Sequence, residues 1–234
     1  MNRKELEQIL VNEFGLNDIQ LEQLYHYYEL IIEESKIMNL TTITDLTESY
    51  IKHFYDSLLL TKMIDNPVNK SLLDIGSGAG FPGIVLKIFY PNLSITLIDS
   101  IGKKCDFLNK VIKELNLEKI KVINTRAEEL VKTNRESYDF VTARAVAELN
   151  ILLELAIPLV KKNGVFLSMK GSSYADEIQN SQEAVKKLMC KLDTYKEFSY
   201  EPYISKRGII VYKKDTLTPK IYPRSYAQIK KKPL

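Results

Sequence analysis

Residues 72–83 read Leu72-Leu73-Asp74-Ile75-Gly76-Ser77-Gly78-Ala79-Gly80-Phe81-Pro82-Gly83. A buried-strand signal runs into closely spaced glycines, and Pro82 then opens an amphipathic helix. Glycine lets the backbone turn with φ > 0 and lets a ligand come closer than any Cβ permits. Proline suits the first helical turn, where its missing N–H is no loss. The next strand, Ser94-Ile95-Thr96-Leu97-Ile98-Asp99, ends in an acid about 20 residues beyond the glycines, the spacing at which a carboxylate accepts hydrogen bonds from ribose hydroxyls. Together they point to a nucleoside-bearing cofactor.

The glycines alone leave the cofactor open. Gly78, Gly80 and Gly83 satisfy the G-x-G-x-x-G of nicotinamide enzymes, whereas Asp74, Gly76, Gly78 and Gly80 satisfy the D-x-G-x-G-x-G of S-adenosylmethionine (SAM) enzymes. A glycine-rich turn with no ligand is the bland alternative.

On both sides of this stretch the apolar periodicity defines the class. Short strands at 71–75, 94–99, 120–124, 138–142 and 164–169 alternate with helices at 81–90, 101–115, 127–132 and 148–160. A helix at 174–190 and strands near 194–203 and 207–213 follow, the last two with no helix between them. The pattern predicts an α/β fold, a doubly wound, mostly parallel seven-stranded sheet closed by an antiparallel edge hairpin. Ahead of it, Leu6, Ile9, Leu10 and Phe14, then Leu21, Leu24, Tyr28, Ile31 and Ile32, recur at three and four, with a cap at Asn17-Asp18 and a third helix over 46–63. The expected organisation is an N-terminal helical extension at 1–65, a main domain at 66–215 and a basic tail at 216–234. Ligands of open α/β sheets lie outside the carboxyl ends of the strands. Gly76 to Gly80, Asp99, Ala127-Glu128, Arg144 and Lys170-Gly171 therefore converge on one cleft.

The 234 residues, 45% of them apolar, suffice for a full core. No stretch reaches the roughly 18 uncharged apolar residues of a membrane span, because Lys87 and Glu154 interrupt the longest candidates. Asn2, Arg3, Lys4 and Glu5 lead into no apolar run of a secretory signal, so the cytoplasm is the expected compartment; a monomer is the expected state. Cys105, Cys190, His26 and His53 lack the spacing of a metal site or a disulfide framework. Charge is uneven: residues 206–234 carry nine Lys or Arg against Asp215 alone, a local +8 in a chain whose total is +3. Such an excess attracts phosphate-rich polymers. The presumed cofactor residues lie far earlier, so the tail is expected to be separable from cofactor binding.

A dehydrogenase needs a proton relay, and the single Tyr-x-x-x-Lys, Tyr226 to Lys230, sits in a Pro-flanked tail read as non-helical. A SAM enzyme needs less, because the methyl already sits on a sulfonium and the protein has mainly to align a nucleophile. At this point the chain resembles the RsmG (GidB) family of bacterial methyltransferases acting on guanine N7 of small-subunit ribosomal RNA. The likeness rests on Met38-Asn39-Leu40-Thr41, His53-Phe54-Tyr55-Asp56-Ser57, residues 74–83, Leu97-Ile98-Asp99-Ser100, Arg126-Ala127-Glu128-Glu129, Thr142-Ala143-Arg144-Ala145-Val146-Ala147 and Tyr222-Pro223-Arg224, in order along nearly the whole chain.

The resemblance implies a class I SAM-dependent fold with a helical N-terminal extension. It places the methionine moiety of SAM against the backbone of Gly76, Gly78 and Gly80, with Phe81 lining the pocket, the ribose at Asp99 and the adenine at Ala127 and Glu128. Arg144 would lie beside cofactor and incoming base, as the candidate catalytic residue. Lys170, Lys206, Arg207, Lys220 and Arg224 are the candidate RNA contacts, and the partner would be small-subunit RNA, free or in an assembling particle. Asn39-Leu40-Thr41 and His53 would fix the N-terminal helices. Neither an Asn/Asp-Pro-Pro-Tyr/Phe element nor a Pro-Cys nucleophile is present, and guanine N7 needs neither, being a lone-pair acceptor with no proton to remove. Phe81 and Tyr222 are candidate stacking platforms. A small-molecule methyltransferase and a non-catalytic SAM-binding protein are the competing classes.

Overall fold

The computed structural model describes residues 1–234. Seven strands, β1 (Ser71–Ile75), β2 (Ser94–Asp99), β3 (Ile120–Asn124), β4 (Tyr138–Arg144), β5 (Val160–Lys170), β6 (Lys191–Tyr200) and β7 (Ile204–Lys213), form one sheet in the order β3-β2-β1-β4-β5-β7-β6. Pairing is parallel from β3 through β5, and β7 runs antiparallel to both β5 and β6. The closing hairpin is thus the antiparallel edge that the missing connecting helix requires. β5 starts four residues earlier than its apolar run, since Lys161 to Asn163 extend it as an exposed end.

Alternate residues of the central strands feed two cores, as the period-2 geometry of a strand demands. Leu72, Ile95, Leu97 and Leu167 pack on one face against the N-terminal helices, α5 (Gly83–Phe89) and α6 (Gly102–Glu114). Leu73, Ile75, Ile98 and Phe166 pack on the other against α7 (Ala127–Asn134) and α8 (Leu149–Ala156). The N-terminal helices α1 (Arg3–Phe14) and α2 (Asp18–Ser35) therefore share a core with the sheet. Asn2 and Asn17 cap them, each in a reciprocal bond with the residue three positions on. On α2 the buried tyrosine is Tyr27, while Tyr28 is half-exposed and donates to the Thr44 carbonyl. Either tyrosine satisfies the helical spacing, and packing against Phe54 and Phe81 selects Tyr27.

The expected helix over 46–63 is broken into pieces: α3 (Leu46–Ser49), a π-helical turn Tyr50–Tyr55, α4 (Asp56–Leu58) and a 3₁₀ turn Leu59–Lys62. The helix expected at 174–190 divides at the buried Ser181 into α9 (Tyr174–Asn180) and α10 (Gln182–Leu188). Residues 216–234 are not a loose tail. Arg135 donates to the carbonyls of Thr218, Pro219 and Tyr222 at 2.8 to 3.1 Å, and Tyr222 and Ile229 are buried in the α8 core. Tyr226 and Lys230, read as non-helical, lie on α11 (Tyr226–Lys231). Ser225 and Gln228 form its capping box, a start signal hidden by the prolines before it. No helix is long and apolar enough to cross a membrane.

Candidate active site

Strand order reverses between β1 and β4, the switch point where open α/β sheets bind ligands. The loop leaving β1 turns through Gly76 at φ +67° and Gly80 at φ +104°, backbone that glycine adopts freely. A Cβ on Gly76 would stand 2.8 Å from a methyl of Val146, and one on Gly80 would strike the Tyr27 hydroxyl and Ile84. The Tyr27 hydroxyl donates to the Ala79 carbonyl, so α2 supports this loop from behind. In front, Asp99 accepts from the Gly78 N–H at 3.0 Å and, through its other oxygen, from the Ile101 N–H at 2.9 Å.

A cavity of about 300 Å³ opens there, walled by Gly76, Asp99, Ala127, Glu128, Val146 and Tyr226. Its donor set suits an adenosyl group: the Asp99 carboxylate for vicinal hydroxyls, Glu128 and the backbone at the head of α7 for a heterocycle edge, and a cradle that a Cβ at Gly76 would obstruct. Gly78 contributes by orienting Asp99, and Gly80 sits behind the wall. Phe81 lines neither this cavity nor the next. Its ring stacks on His53, centroids 4.3 Å apart, and carries the Arg144 guanidinium carbon 5.0 Å from its centre. With Tyr222 also buried, neither proposed platform is open to a base.

A second cavity of about 540 Å³ adjoins the first at Ala145, which lines both. Ala145 holds φ +57°, a strained conformation for a residue with a Cβ, of the kind that surrounding structure maintains at functional sites. The polar wall is cationic, with Lys52, Arg144, Lys170, Lys206 and Arg207 around His53. Behind it lies Asp56, fully buried. One Asp56 oxygen accepts from Arg144 at 2.9 Å and the other from Nε of Arg207 at 2.5 Å. Arg144 also donates to the Lys52 carbonyl at 3.1 Å and stands 3.4 Å from Nδ1 of His53. An arginine only donates, so this His53 nitrogen accepts, and Nε2 carries the proton toward Thr41 at 3.2 Å. Burial and the Arg144 charge lower the His53 pKa to about 3, which keeps the ring neutral. The π turn presents Lys52 and His53 here, as π turns often do at functional sites.

The other expected contacts divide. Lys170 is buried, paired with Glu177 at 2.7 Å and bonded to the Ala147 carbonyl. Lys206 is exposed, 3.0 Å from Glu197, and Lys220 is exposed on the surface. Arg224, expected to meet RNA, instead grips buried Glu154 through Nε at 2.8 Å and a terminal nitrogen at 2.6 Å, which commits it to closing the tail onto α8. Sequence reasoning gave no site role to Asp56, Tyr27 or Tyr226, and read Asp74 only as the first position of the glycine signature. His53 and Asp56, three apart in a helical pattern, offered a one-face signal; Tyr226 offered none. Asp74 lies beneath the glycine loop, one oxygen accepting from the Gly83 N–H at 3.0 Å and the other buried without a partner. Burial pushes its pKa up to about 7.

Two cavities meeting at the carboxyl end of β4 give donor and acceptor room side by side, and on this sheet that places the chain among the class I SAM-dependent methyltransferases. M. jannaschii TYW2 in complex with AdoMet shares the fold, with a TM-score of 0.57 at 16% identity over 74% of this chain and 77% of that one. P. horikoshii TYW2 in complex with MeSAdo does so at 0.58 and 8% identity, over 92% and 100%. A family model, GidB, rRNA small subunit methyltransferase G, matches residues 20–207. Proteins named ribosomal RNA small subunit methyltransferase G are similar over most of their length. The one from Bacillus licheniformis is 44% identical over 94% of this chain and 93% of its own, and that from Mesoplasma florum 47% over 90% and 88%. The chain belongs to this family, and SAM is its cofactor.

Proposed function

We propose that the chain transfers the methyl group of SAM to N7 of a guanine in small-subunit ribosomal RNA, acting as a cytoplasmic monomer on the free RNA or the assembling subunit. The observation that carries this reading is the junction at Ala145, where a nucleoside cradle opens into a chamber whose polar wall is cationic. Bound along the first cavity, SAM supplies a methyl group already activated on sulfur. Gly76, Gly78 and Gly80 shape the cradle for its methionyl end, Asp99 orients the ribose, and Ala127 and Glu128 take the adenine. Guanine N7 presents a lone pair on the Hoogsteen edge and has no proton to lose. No general base is therefore needed, and the chamber is built accordingly: His53 has both ring nitrogens engaged, and the Asp56 and Glu177 carboxylates are bound to cations. Arg144 guides the base, so that catalysis is alignment, while Lys206, Arg207 and Lys220 face the RNA and Lys170, expected among them, is held below the wall by Glu177.

Labelled SAM offered to RNA from cells lacking this protein, with total RNA and small metabolites assayed separately, tests the reading. The expected product is small-subunit RNA that becomes cleavable at one guanine after reduction and aniline treatment, the behaviour of an N7-methylated base. Label confined to small metabolites, or placed on another atom, would refute it.

A further inference from the structure

The feature this reading does not use is the carboxylate behind the cationic wall. Asp56 is completely buried, and each of its oxygens holds a different arginine. The three groups come from distant parts of the chain: Asp56 opens α4, Arg144 ends β4, and Arg207 stands on β7. Arg144 is nearly buried, whereas Arg207 is about a quarter exposed and bonds Asp56 through Nε alone. The terminal nitrogens of Arg207 thus have no protein partner. Two guanidinium groups set side by side would repel, and the shared carboxylate both holds them together and leaves the trio with one net positive charge. The neighbouring His53 adds none. The other charged groups facing this wall are paired, Lys170 with Glu177, Lys206 with Glu197 and Lys52 with Glu48.

We propose that Asp56 is a positioning residue that fixes Arg144 and Arg207 as a pair of donors spaced for one nucleotide, Arg144 facing the target base and Arg207 a phosphate of the same strand. The inference rests on the functional reading above. Arg144 is held by Asp56, by the Lys52 carbonyl and against the Phe81 ring, so its remaining donor directions are fixed. A fixed donor suits the O6 acceptor of guanine and opposes the amino group that adenine presents at that place. Arg207 keeps the two-nitrogen end that matches a phosphate. Asp56 touches neither substrate and acts only through the two arginines.

Single-turnover and steady-state methylation of unmethylated small-subunit ribosomal RNA by full-length Asp56→Asn tests this. An asparagine keeps the size but sets its amide N–H₂ toward one arginine, donor against donor. The expected result is a fall in kcat/KM for RNA of about 30-fold or more, with SAM affinity within about twofold of wild type. Because breaking a buried ion pair is strongly destabilising, Arg207→Ala provides a second arm that leaves Asp56 paired with Arg144. Its KM for RNA should rise about tenfold with kcat unchanged, and Arg207→Lys should restore only part. In the double variant the two losses should be less than additive. A folded Asp56→Asn with wild-type kcat/KM, or an Arg207→Ala with wild-type KM, overturns the proposal. A wild-type protein that methylates no ribosomal RNA instead overturns the functional reading, so the two failures are distinguishable.

Discussion

At Arg144 one guanidinium meets a buried carboxylate, a backbone carbonyl and an aromatic ring on one side and the second cavity on the other. A structural ion pair and a substrate guide are alternatives only in sequence; on the proposed reading the first creates the second. Arg144→Ala should therefore lower stability, on the order of 2 kcal/mol because Asp56 keeps Arg207. Well below the melting temperature it should also cut the single-turnover rate about 100-fold while SAM affinity stays nearly unchanged. Melting curves and rapid-quench methylation check both, and a rate loss that vanished on correction for unfolded protein would leave only the structural role. Asp74 behaves differently, because burial raises its pKa from 3.8 to about 7. Between those values the folded chain keeps a proton that the unfolded chain releases, so this group favours folding at acid pH and its contribution is lost as pH rises. Asp74→Asn retains an acceptor for the Gly83 N–H and never ionises. Its stability relative to wild type should thus grow between pH 3.8 and pH 7, by on the order of 3 kcal/mol. Urea denaturation at several pH values reads this difference, in which His53, common to both proteins, cancels.

Among the elements, α2 has a role that its amphipathic pattern does not advertise. Its Tyr27 hydroxyl donates to the Ala79 carbonyl inside the glycine loop, and the helix is further tied to α5 by Gln20, which donates to the Ile88 and Phe89 carbonyls at 3.0 and 3.1 Å. Tyr27→Phe keeps the ring stacked and leaves that carbonyl buried without its donor, at a cost of about 1–3 kcal/mol. A several-fold weaker SAM affinity, measured by calorimetry, should accompany the loss; unchanged affinity would mean that the loop holds its shape without the helix. Strands β1 to β4 were legible to within about two residues because their apolar runs end in turn residues, and Asp99 and the head of α7 followed from strand ends alone. The π turn at Tyr50–Tyr55 was not legible. A helix that changes its winding keeps nearly the same apolar spacing, and the change is decided by packing across the molecule. α11 was missed because a six-residue helix has too little periodicity to outweigh Pro219 and Pro223 before it.

For the whole molecule, charge counted along the chain misled more than hydrophobic pattern did. Of the nine basic residues after 205, Arg207 is held by Asp56, Lys214 by Glu136, Arg224 by Glu154 and Lys206 by Glu197. Lys214 is fully buried, and burial lowers its pKa. Composition cannot reveal such pairing, since the partners lie 9 to 151 positions away in a chain whose remainder is acidic. What remains for long-range attraction at this end is half-buried Lys213 together with Lys220, Lys230, Lys231 and Lys232, the last four exposed. Deleting residues 216–234 would not isolate this effect, because it removes buried Tyr222 and Ile229 and takes Tyr226 from the wall of the first cavity. Replacing Lys230, Lys231 and Lys232 together by Gln leaves that packing intact. If all three lysines meet RNA phosphates, log affinity should become less steep against log salt by roughly two to three, since each lost phosphate contact removes about 0.7 to 0.9 from the slope. SAM affinity should not change, as none of the three lines the first cavity, the proposed SAM site. Filter binding across a salt series measures the slope, and an unchanged slope would mean that these three lysines do not meet RNA phosphates.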